Sequence, residues 1–189
     1  MEGLLSQPLI VVFDSIDSSF PPANTIVDYL ITKYNVEKYS TTVIRSEKKW
    51  STIKGPNGHF AVEPKNMQGI ENQCIIFLAN IIELDTISQL DVVTRARNGL
   101  IIVINCDNEI KKGYRLKTLW KKTIEGIMNQ STDSNADDRI ARIVLAKKTP
   151  DENGVHLDEN LDEIRKFLRS KGFNKIDSDS NEKKHGNST

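Results

Sequence analysis

Three continuous apolar runs rich in β-branched residues constrain the fold of this chain most strongly. The runs are Pro8–Phe13, Cys74–Ile82 and Leu100–Ile104. A run that is apolar on both faces is typical of a central strand in a parallel sheet, because helices cover such a strand on both sides. The sequence therefore predicts three buried parallel strands, the second of which we expect to end near Asn80.

Two shorter strands and a hairpin are expected between and after these runs. The strands are Thr41–Ile44 and Ile140–Ala146. Trp50–Ile53 and Phe60–Val62 flank Gly55–Gly58, and an Asn-Gly pair between two such segments indicates a hairpin. We expect this hairpin to be short and antiparallel.

Amphipathic segments separate the expected strands. Asn24 is expected to cap a helix whose apolar face lies within Ile26–Tyr34. Leu116–Met128 repeats apolar residues at i, i+3, i+4 and i+7, which is the clearest helical pattern in the chain. A final helix is expected to take Asp158 as its cap and to end at Gly172.

One further helix is expected between the second and third apolar runs. Its cap would be Asp85 or Thr86, and Arg95 and Arg97 would lie in its last turn. Cations suit the negative end of a helix, and Asn98-Gly99 is typical of a helix stop.

The alternation of strands and helices predicts the fold class. We expect an α/β protein with a single Rossmann-like, three-layer domain, whose sheet is mostly parallel with one antiparallel hairpin. The domain is expected to span residues 1–176. Residues 177–189 are polar and rich in Ser and Asn, and we expect them to form a disordered tail.

Charge and composition argue against several classes of protein. The 26 Lys and Arg residues balance 26 Asp and Glu residues, whereas a general nucleic-acid binder would carry a basic excess. No apolar run approaches the roughly 18 residues of a membrane span, so no membrane insertion is expected. Met1–Leu5 lacks the basic region of a secretory leader. Cys74 and Cys106 lie inside apolar runs and are expected to be buried free thiols, so we expect a cytoplasmic protein.

Polar residues follow the expected strands, at the edge where open α/β sheets bind their ligands. They are Asp14, Asp17, Arg45, Asn80, Asn105 and Asp107. Carboxylates at this edge could hold Mg²⁺, which leaves a divergent nucleotide- or Mg²⁺-dependent enzyme as an alternative. Such an enzyme would use Asp14, Asp17, Asn105 and Asp107. Asp and Asn are also common in these loops because they cap helices and turn the chain, and we favour this second interpretation.

No other catalytic, cofactor or metal site is expected. Residues 14–20 contain no glycine or lysine that could cradle a phosphate, and their two carboxylates would repel one. His59, His156 and His185 are not placed with Cys or Asp at the spacing of metal ligands. We therefore expect a protein that is not an enzyme.

Two segments are rich in cations. The hairpin segment contains Lys48, Lys49, Trp50, Lys54, His59, Phe60 and Lys65. Cations mixed with aromatic residues are typical of single-strand nucleic-acid binders, but at zero net charge we favour a solvated hairpin whose aromatic residues pack inward. The helical segment contains Lys111, Lys112, Arg115, Lys117, Lys121 and Lys122. We favour a solvated helix face, and a surface that fits the acidic groove of a partner is the alternative.

The order of the elements resembles that of a Ras-like small GTPase. Asn105–Asn108 is similar in position to that family's Asn-Lys-x-Asp, and Leu145–Lys147 includes Ala-Lys, which is similar to its Ser-Ala-Lys. Asp14–Phe20 stands where the family has its phosphate loop, no Asp-x-x-Gly precedes Cys74, and Cys106 stands in place of the family's Lys. This combination resembles a pseudo-GTPase.

Two pseudo-GTPase families resemble the chain in size and element order. The alpha- and gamma-adaptin-binding protein and its fungal counterpart, the increased-recombination-centres protein, carry a Trp-containing hairpin similar to Trp50–Val62. Centromere protein M is the second choice, since its fourth strand and following helix are similar to Cys74–Arg97.

The first resemblance implies a non-catalytic adaptor or assembly chaperone that binds clathrin adaptor subunits in cytoplasmic vesicle traffic. The second implies a scaffold subunit of the inner kinetochore, in the nucleus. The hairpin and the basic helix supply the candidate partner-binding residues, which are Trp50, Phe60, Arg115, Lys121 and Lys122.

Overall fold

A computed structural model of the chain describes residues 8–14, 23–36, 40–67, 69, 71–80, 94–106, 124–126, 128–129, 141–149 and 154–173. Its main elements are β1 (Leu9–Phe13), α1 (Ala23–Lys33), β2 (Thr41–Arg45), β3 (Asn72–Asn80), β4 (Ala96–Asn105), β5 (Arg142–Lys148), β6 (Val155–Asp158) and α2 (Leu161–Ser170). Short 3₁₀ helices lie at Lys48–Trp50 and Pro64–Met67. Residues 124–126 and 128–129 are also helical.

The six strands form one sheet in the order β2-β3-β4-β1-β5-β6. The first five strands in this order run parallel to their neighbours, and β6 runs antiparallel to β5. β1 is central, and it pairs with β4 from Leu9 opposite Ile101 to Phe13 opposite Asn105. The predicted α/β class, with a mostly parallel sheet and one antiparallel pair, is confirmed.

The predicted short antiparallel hairpin at 50–62 is present, but it contributes no strand to the six-stranded sheet, whose antiparallel pair lies elsewhere. Within the segment 50–62 the structure has a single antiparallel bridge, between Lys54 and Phe60. Val62 instead forms a parallel bridge to Ile44 of β2. The antiparallel strand is β6, which the sequence did not reveal because its four residues alternate between buried and more exposed positions over too short a stretch.

β1 shows how the layers are built. Its five side chains are all buried and alternate between the two faces of the sheet. Leu9, Val11 and Phe13 belong to the apolar cluster that contains the buried face of α1. Ile10 and Val12 belong to the cluster that contains the buried face of α2 and the helical residues 124 and 128. Helices therefore cover both faces, as expected for a run that is apolar on both sides.

The predicted strands that the structure describes are confirmed, but the predicted end of the helix before the third apolar run is wrong. β4 begins at Ala96, because the long strand β3 supplies hydrogen-bonding partners for its first residues. Arg97, predicted in the last turn of a helix, lies in β4 and forms an ion pair with Glu71 (2.7 Å). The interpretation of Asn98-Gly99 as a helix stop is therefore wrong. Residues 85–93 of that predicted helix lie outside the described residues.

The starts of the two helices also differ from the predictions. Asn160, not Asp158, is the cap of α2, since its side chain accepts a hydrogen bond from the second helical N–H (3.1 Å). Asp158 ends β6, and its carboxylate accepts a hydrogen bond from the backbone N–H of Asn160 (2.8 Å). α1 begins at Ala23, so Asn24 lies inside its first turn. Gly172 follows α2 with a φ of +91°, which confirms the predicted stop.

Other predictions fall partly or wholly outside the described residues. The helical residues 124–126 and 128–129 fit the end of the helix predicted at 116–128, whose earlier part is not described. The predicted tail at 177–189 is likewise not described. Among the helices that the structure does describe, none is long and apolar enough to cross a membrane.

Candidate functional site

The carboxyl ends of the central strands meet at one edge of the sheet. Asn80, Asn105 and Phe13 lie level with one another on β3, β4 and β1. The backbone N–H of Cys106 donates to the carbonyl of Phe13 (2.8 Å), which holds the two strand exits together. The next described element after β1, which is α1, packs on one face of the sheet, and the next described helical residues after β4, 124 and 128, pack on the opposite face. Such a divergence is where open α/β sheets bind ligands.

An internal ion pair lies at this edge. The ammonium of Lys171 contacts the carboxylate of Asp14, and the two side chains are only 9% and 17% exposed, respectively. Lys171 directly follows α2, and its Nζ also lies 5.6 Å from the ring centroid of Phe167. A cation binding to Asp14 would therefore compete with a cation that the chain itself supplies.

The structure places only part of the predicted enzyme set. Asp14 and Asn105 are brought to the same edge, and Asn105 is buried. Asp17 and Asp107 lie outside the described residues. Within the described ranges, no group of three or more His, Cys, Asp or Glu residues has the geometry to hold a metal ion.

The hairpin segment packs one of its two aromatic residues into the core. Trp50 is 7% exposed and belongs, with Ile53 and Ala61, to the cluster on the α1 side of the sheet. The backbone N–H of Ala61 donates to the carbonyl of Ile53 (2.8 Å), so the two arms of the hairpin are joined. Trp50 thus packs in the same cluster as residues of both arms and presents little surface to a partner.

The turn of the hairpin is fastened to β2. The side chain of Asn57 donates to the carbonyl of Thr41 (3.2 Å) and accepts from the backbone N–H of His59 (3.0 Å). Gly58 has a φ of +82°, a conformation that favours glycine. A Cβ added at Gly55 would lie 3.2 Å from a methyl group of Val43, so glycine also permits the close approach to β2.

The second arm of the hairpin continues onto the edge of the sheet. The backbone N–H of Val62 donates to the carbonyl of Val43 (2.9 Å), and the N–H of Arg45 donates to the carbonyl of Val62 (2.9 Å). These two bonds occupy backbone groups of β2, which is one of the two edge strands of the sheet. The segment is therefore held to the sheet by main-chain bonds as well as by Trp50.

Phe60 lies on the outer side of this hairpin and is 58% exposed. Among the described residues it is the one large apolar side chain that is exposed. The ammonium of Lys54, on the opposite arm, lies 4.9 Å from the centroid of its ring. We call Lys54 and Phe60 the hairpin surface.

Ion pairs surround the base of the hairpin. Glu47 contacts Lys49 (2.7 Å), and Glu63 contacts both Arg45 (3.0 Å) and Lys65 (2.8 Å). Hydrogen bonding from Lys65, followed by its charge and the contact with Arg45, lowers the pKa of the Glu63 carboxyl below its usual value. Glu63 therefore stays charged and keeps the two cations in place.

Of the five predicted partner-binding residues, the structure describes two. Trp50 is buried and Phe60 is exposed, so Phe60 is the member of the pair that a partner can reach. Arg115, Lys121 and Lys122 lie outside the described residues. The sequence did not reveal the role of Lys171, because its contact with Asp14 joins positions 157 residues apart. The local sequence indicates only that Lys171 lies at the end of a helix, just before the stop at Gly172.

No protein-family model matches this chain, and no curated protein matches it in sequence.

Proposed function

We propose that this protein is a non-catalytic, pseudo-GTPase-like protein that works in the cytoplasm by binding a larger protein partner. The proposed partner is a clathrin adaptor subunit, which the protein would assist as an adaptor or assembly chaperone. The observation that carries the proposal is the exposed ring of Phe60 on a hairpin that is tied to the sheet.

The physical argument rests on preorganisation. An exposed aromatic side chain contributes most to binding when its position is fixed beforehand, because less conformational freedom is lost on association. The backbone at Phe60 is held by the bridge to Lys54, by the turn bonds of Asn57 and by the main-chain bonds of Val62. A ring presented in this way supports a role in partner recognition.

The carboxyl edge of the sheet supports the non-catalytic part of the proposal. Asp14 stands where a phosphate cradle would begin, and its charge is matched by Lys171 from the other end of the domain. The sequence from 14 to 20 offers a phosphate two carboxylates and no lysine or glycine. Both features favour a protein that acts by binding a partner at its surface and not by binding a nucleotide.

The proposal is tested by capturing the tagged full-length chain from its own cells and identifying the captured proteins by mass spectrometry. Adaptor large or sigma subunits are the expected proteins, and Phe60→Ala should lose them. His59→Ala, which removes a neighbouring exposed ring, is the matched control and should retain them. Inner-kinetochore proteins in place of adaptor subunits would refute the trafficking role and favour the scaffold alternative.

The basic helix is tested separately in the same assay. Reversing the charges of Lys121 and Lys122 to Glu should weaken the capture of adaptor subunits if the helix contacts the partner. Unchanged capture would remove this helix from the interface.

A second candidate is the divergent nucleotide- or Mg²⁺-dependent enzyme, which is favoured by the placement of Asp14 and Asn105 at one edge. A ligand at 100 times its Kd stabilises a protein by about 2.7 kcal/mol, or roughly 5–10 °C in a domain of this size. We expect no such rise in melting temperature with GTP and Mg²⁺. A rise of that size would favour the enzyme.

A further inference from the structure

We infer that the hairpin surface binds a short acidic peptide segment that carries one bulky apolar side chain. The inference rests on the proposal that the protein acts by binding a protein partner, and it names the chemistry of the segment that is bound. Charge, the exposed ring and the size of the surface each contribute to it.

The hairpin segment and the adjoining strand β2, residues 40–67 together, have a local excess of positive charge in a chain whose formal net charge is zero. Residues 40–67 contain five cations, which are Arg45, Lys48, Lys49, Lys54 and Lys65, against the two carboxylates Glu47 and Glu63. Both carboxylates are already in ion pairs with cations of the same segment. Lys48 and Lys54 are exposed and have no carboxylate at ion-pair distance among the described residues. The segment is therefore complementary to an acidic partner.

The hairpin surface combines this charge with an apolar contact. The ammonium of Lys54 lies 4.9 Å from the centroid of the Phe60 ring, and more than half of that ring is exposed. A carboxylate that pairs with Lys54 would thus lie beside an apolar surface of the protein. A segment in which acidic residues flank an apolar side chain satisfies both contacts at once.

The size of the surface favours a short segment over a large folded partner surface. The core of a stable interface between folded proteins holds several large apolar side chains. Here the described residues expose one, Phe60. A single ring beside a cation is enough to receive one apolar side chain of a peptide.

Single-stranded nucleic acid is the competing ligand, since cations beside aromatic rings also bind it. Such binders stack successive bases on several exposed rings. Of the two large aromatic residues in the hairpin segment, Trp50 is buried in the core, which leaves Phe60 and the smaller imidazole of His59 as the exposed rings. The burial of Trp50 therefore favours the peptide.

The test uses the full-length chain and the fluorescence anisotropy of labelled probes. The first probe is a peptide of alternating glutamate and serine with one central leucine. In two matched peptides the leucine is replaced by serine or every glutamate by glutamine. The fourth probe is oligothymidine. We expect the first peptide to bind best and its affinity to fall with added salt.

Variants of the hairpin surface link binding to the named side chains. Phe60→Ala and Lys54→Glu should each weaken binding of the first peptide by about tenfold or more, since a central apolar contact and a charge pair would be lost. Phe60→Leu should retain most of the binding. Lys166→Glu, a charge reversal at an exposed position on α2, is the control and should leave the affinity unchanged.

Three results would overturn the inference. They are no detectable binding of the first peptide, equal binding by Phe60→Ala, and tighter binding of oligothymidine that is lost in the same variants. The outcome is separable from that of the proposed function. Peptide binding without capture of adaptor subunits would refute only the proposed partner, and capture of adaptor subunits without peptide binding would refute only the acidic segment.

Discussion

Trp50 and Phe60 form a matched pair for testing the structure of the hairpin. Both are aromatic, both belong to the same short segment, and their exposed fractions are 7% and 58%. If the hairpin packs as described, truncation of Trp50 should destabilise the whole domain, whereas truncation of Phe60 should scarcely change its stability. The two effects can be estimated separately.

Trp50→Ala removes an indole from an apolar cluster that also contains Val43, Ile53 and Ala61. Truncation of a buried Trp to Ala lowers the free energy of unfolding by about 3–5 kcal/mol. Because the hairpin lies at the edge of the sheet and the indole is not fully buried, we expect the lower end, about 3 kcal/mol. In a domain of this size that corresponds to a melting temperature lower by roughly 6–12 °C.

Phe60→Ala removes a ring that is mostly in water. Exposed substitutions usually change the free energy of unfolding by no more than about 0.5 kcal/mol. Loss of the contact with the Lys54 ammonium adds about 0.5 kcal/mol, the usual value for an exposed cation–ring pair. The melting temperature should therefore fall by no more than about 2–4 °C.

The assay is urea unfolding of the full-length chain followed by far-UV circular dichroism. Fluorescence is unsuitable because Trp50 is one of only two tryptophans. Trp50→Phe, which keeps a large ring in the cluster, should restore most of the stability. Equal destabilisation by the two alanine variants would refute the packing of the hairpin. An unchanged free energy of unfolding in Trp50→Ala would mean that the indole is not packed in the core and is free to contact a partner.

Three further predictions concern the ion pair between Asp14 and Lys171, the carboxylate of Asp158 before α2, and the buried thiol of Cys74. Asp14→Asn and Lys171→Met should each lower the free energy of unfolding by about 2 kcal/mol, and additive effects in the double variant would show that the pair is not coupled. The pKa of the Asp158 carboxyl is lowered first by the hydrogen bond from the backbone N–H of Asn160 and then by Lys147. The stabilising effect of this carboxylate should therefore be present above about pH 4 and be lost on further acidification. An unchanged pH dependence of urea unfolding in Asp158→Asn would contradict this. Burial raises the pKa of the Cys74 thiol to about 11, so it should react with a thiol reagent at neutral pH only after unfolding.

The central strands could be predicted because their signal is local. Every residue of β1 is apolar, and the structure buries alternate residues against opposite helical layers, as such a run requires. The start of β4 could not be predicted in this way. Asn98-Gly99 has the chemistry of a helix stop, but β3 offers it a strand partner, and this pairing with Cys74 is invisible in a local window.

The candidate site was harder to predict because it depends on which side chains are buried, and the local sequence does not show this. The sequence places Trp50 and Phe60 on the two arms of a turn, and the prediction that the aromatic residues pack inward is confirmed for Trp50 and wrong for Phe60. Gly55 and Asn57 bring the turn close to β2, and this contact between distant positions is not visible in the local sequence. The Asp14–Lys171 contact was equally hidden, since it depends on where the last helix ends above the sheet.

The attachment of the hairpin to β2 connects the stability of the fold with recognition. An edge strand has backbone groups that can pair with another chain. Val62 forms hydrogen bonds with Val43 and Arg45 of β2, and so covers part of this edge. The same bonds help to fix the backbone at Phe60, which lies two residues earlier in the chain. A partner that contacts Phe60 therefore meets a backbone already ordered during folding, and the backbone entropy lost on binding is correspondingly small.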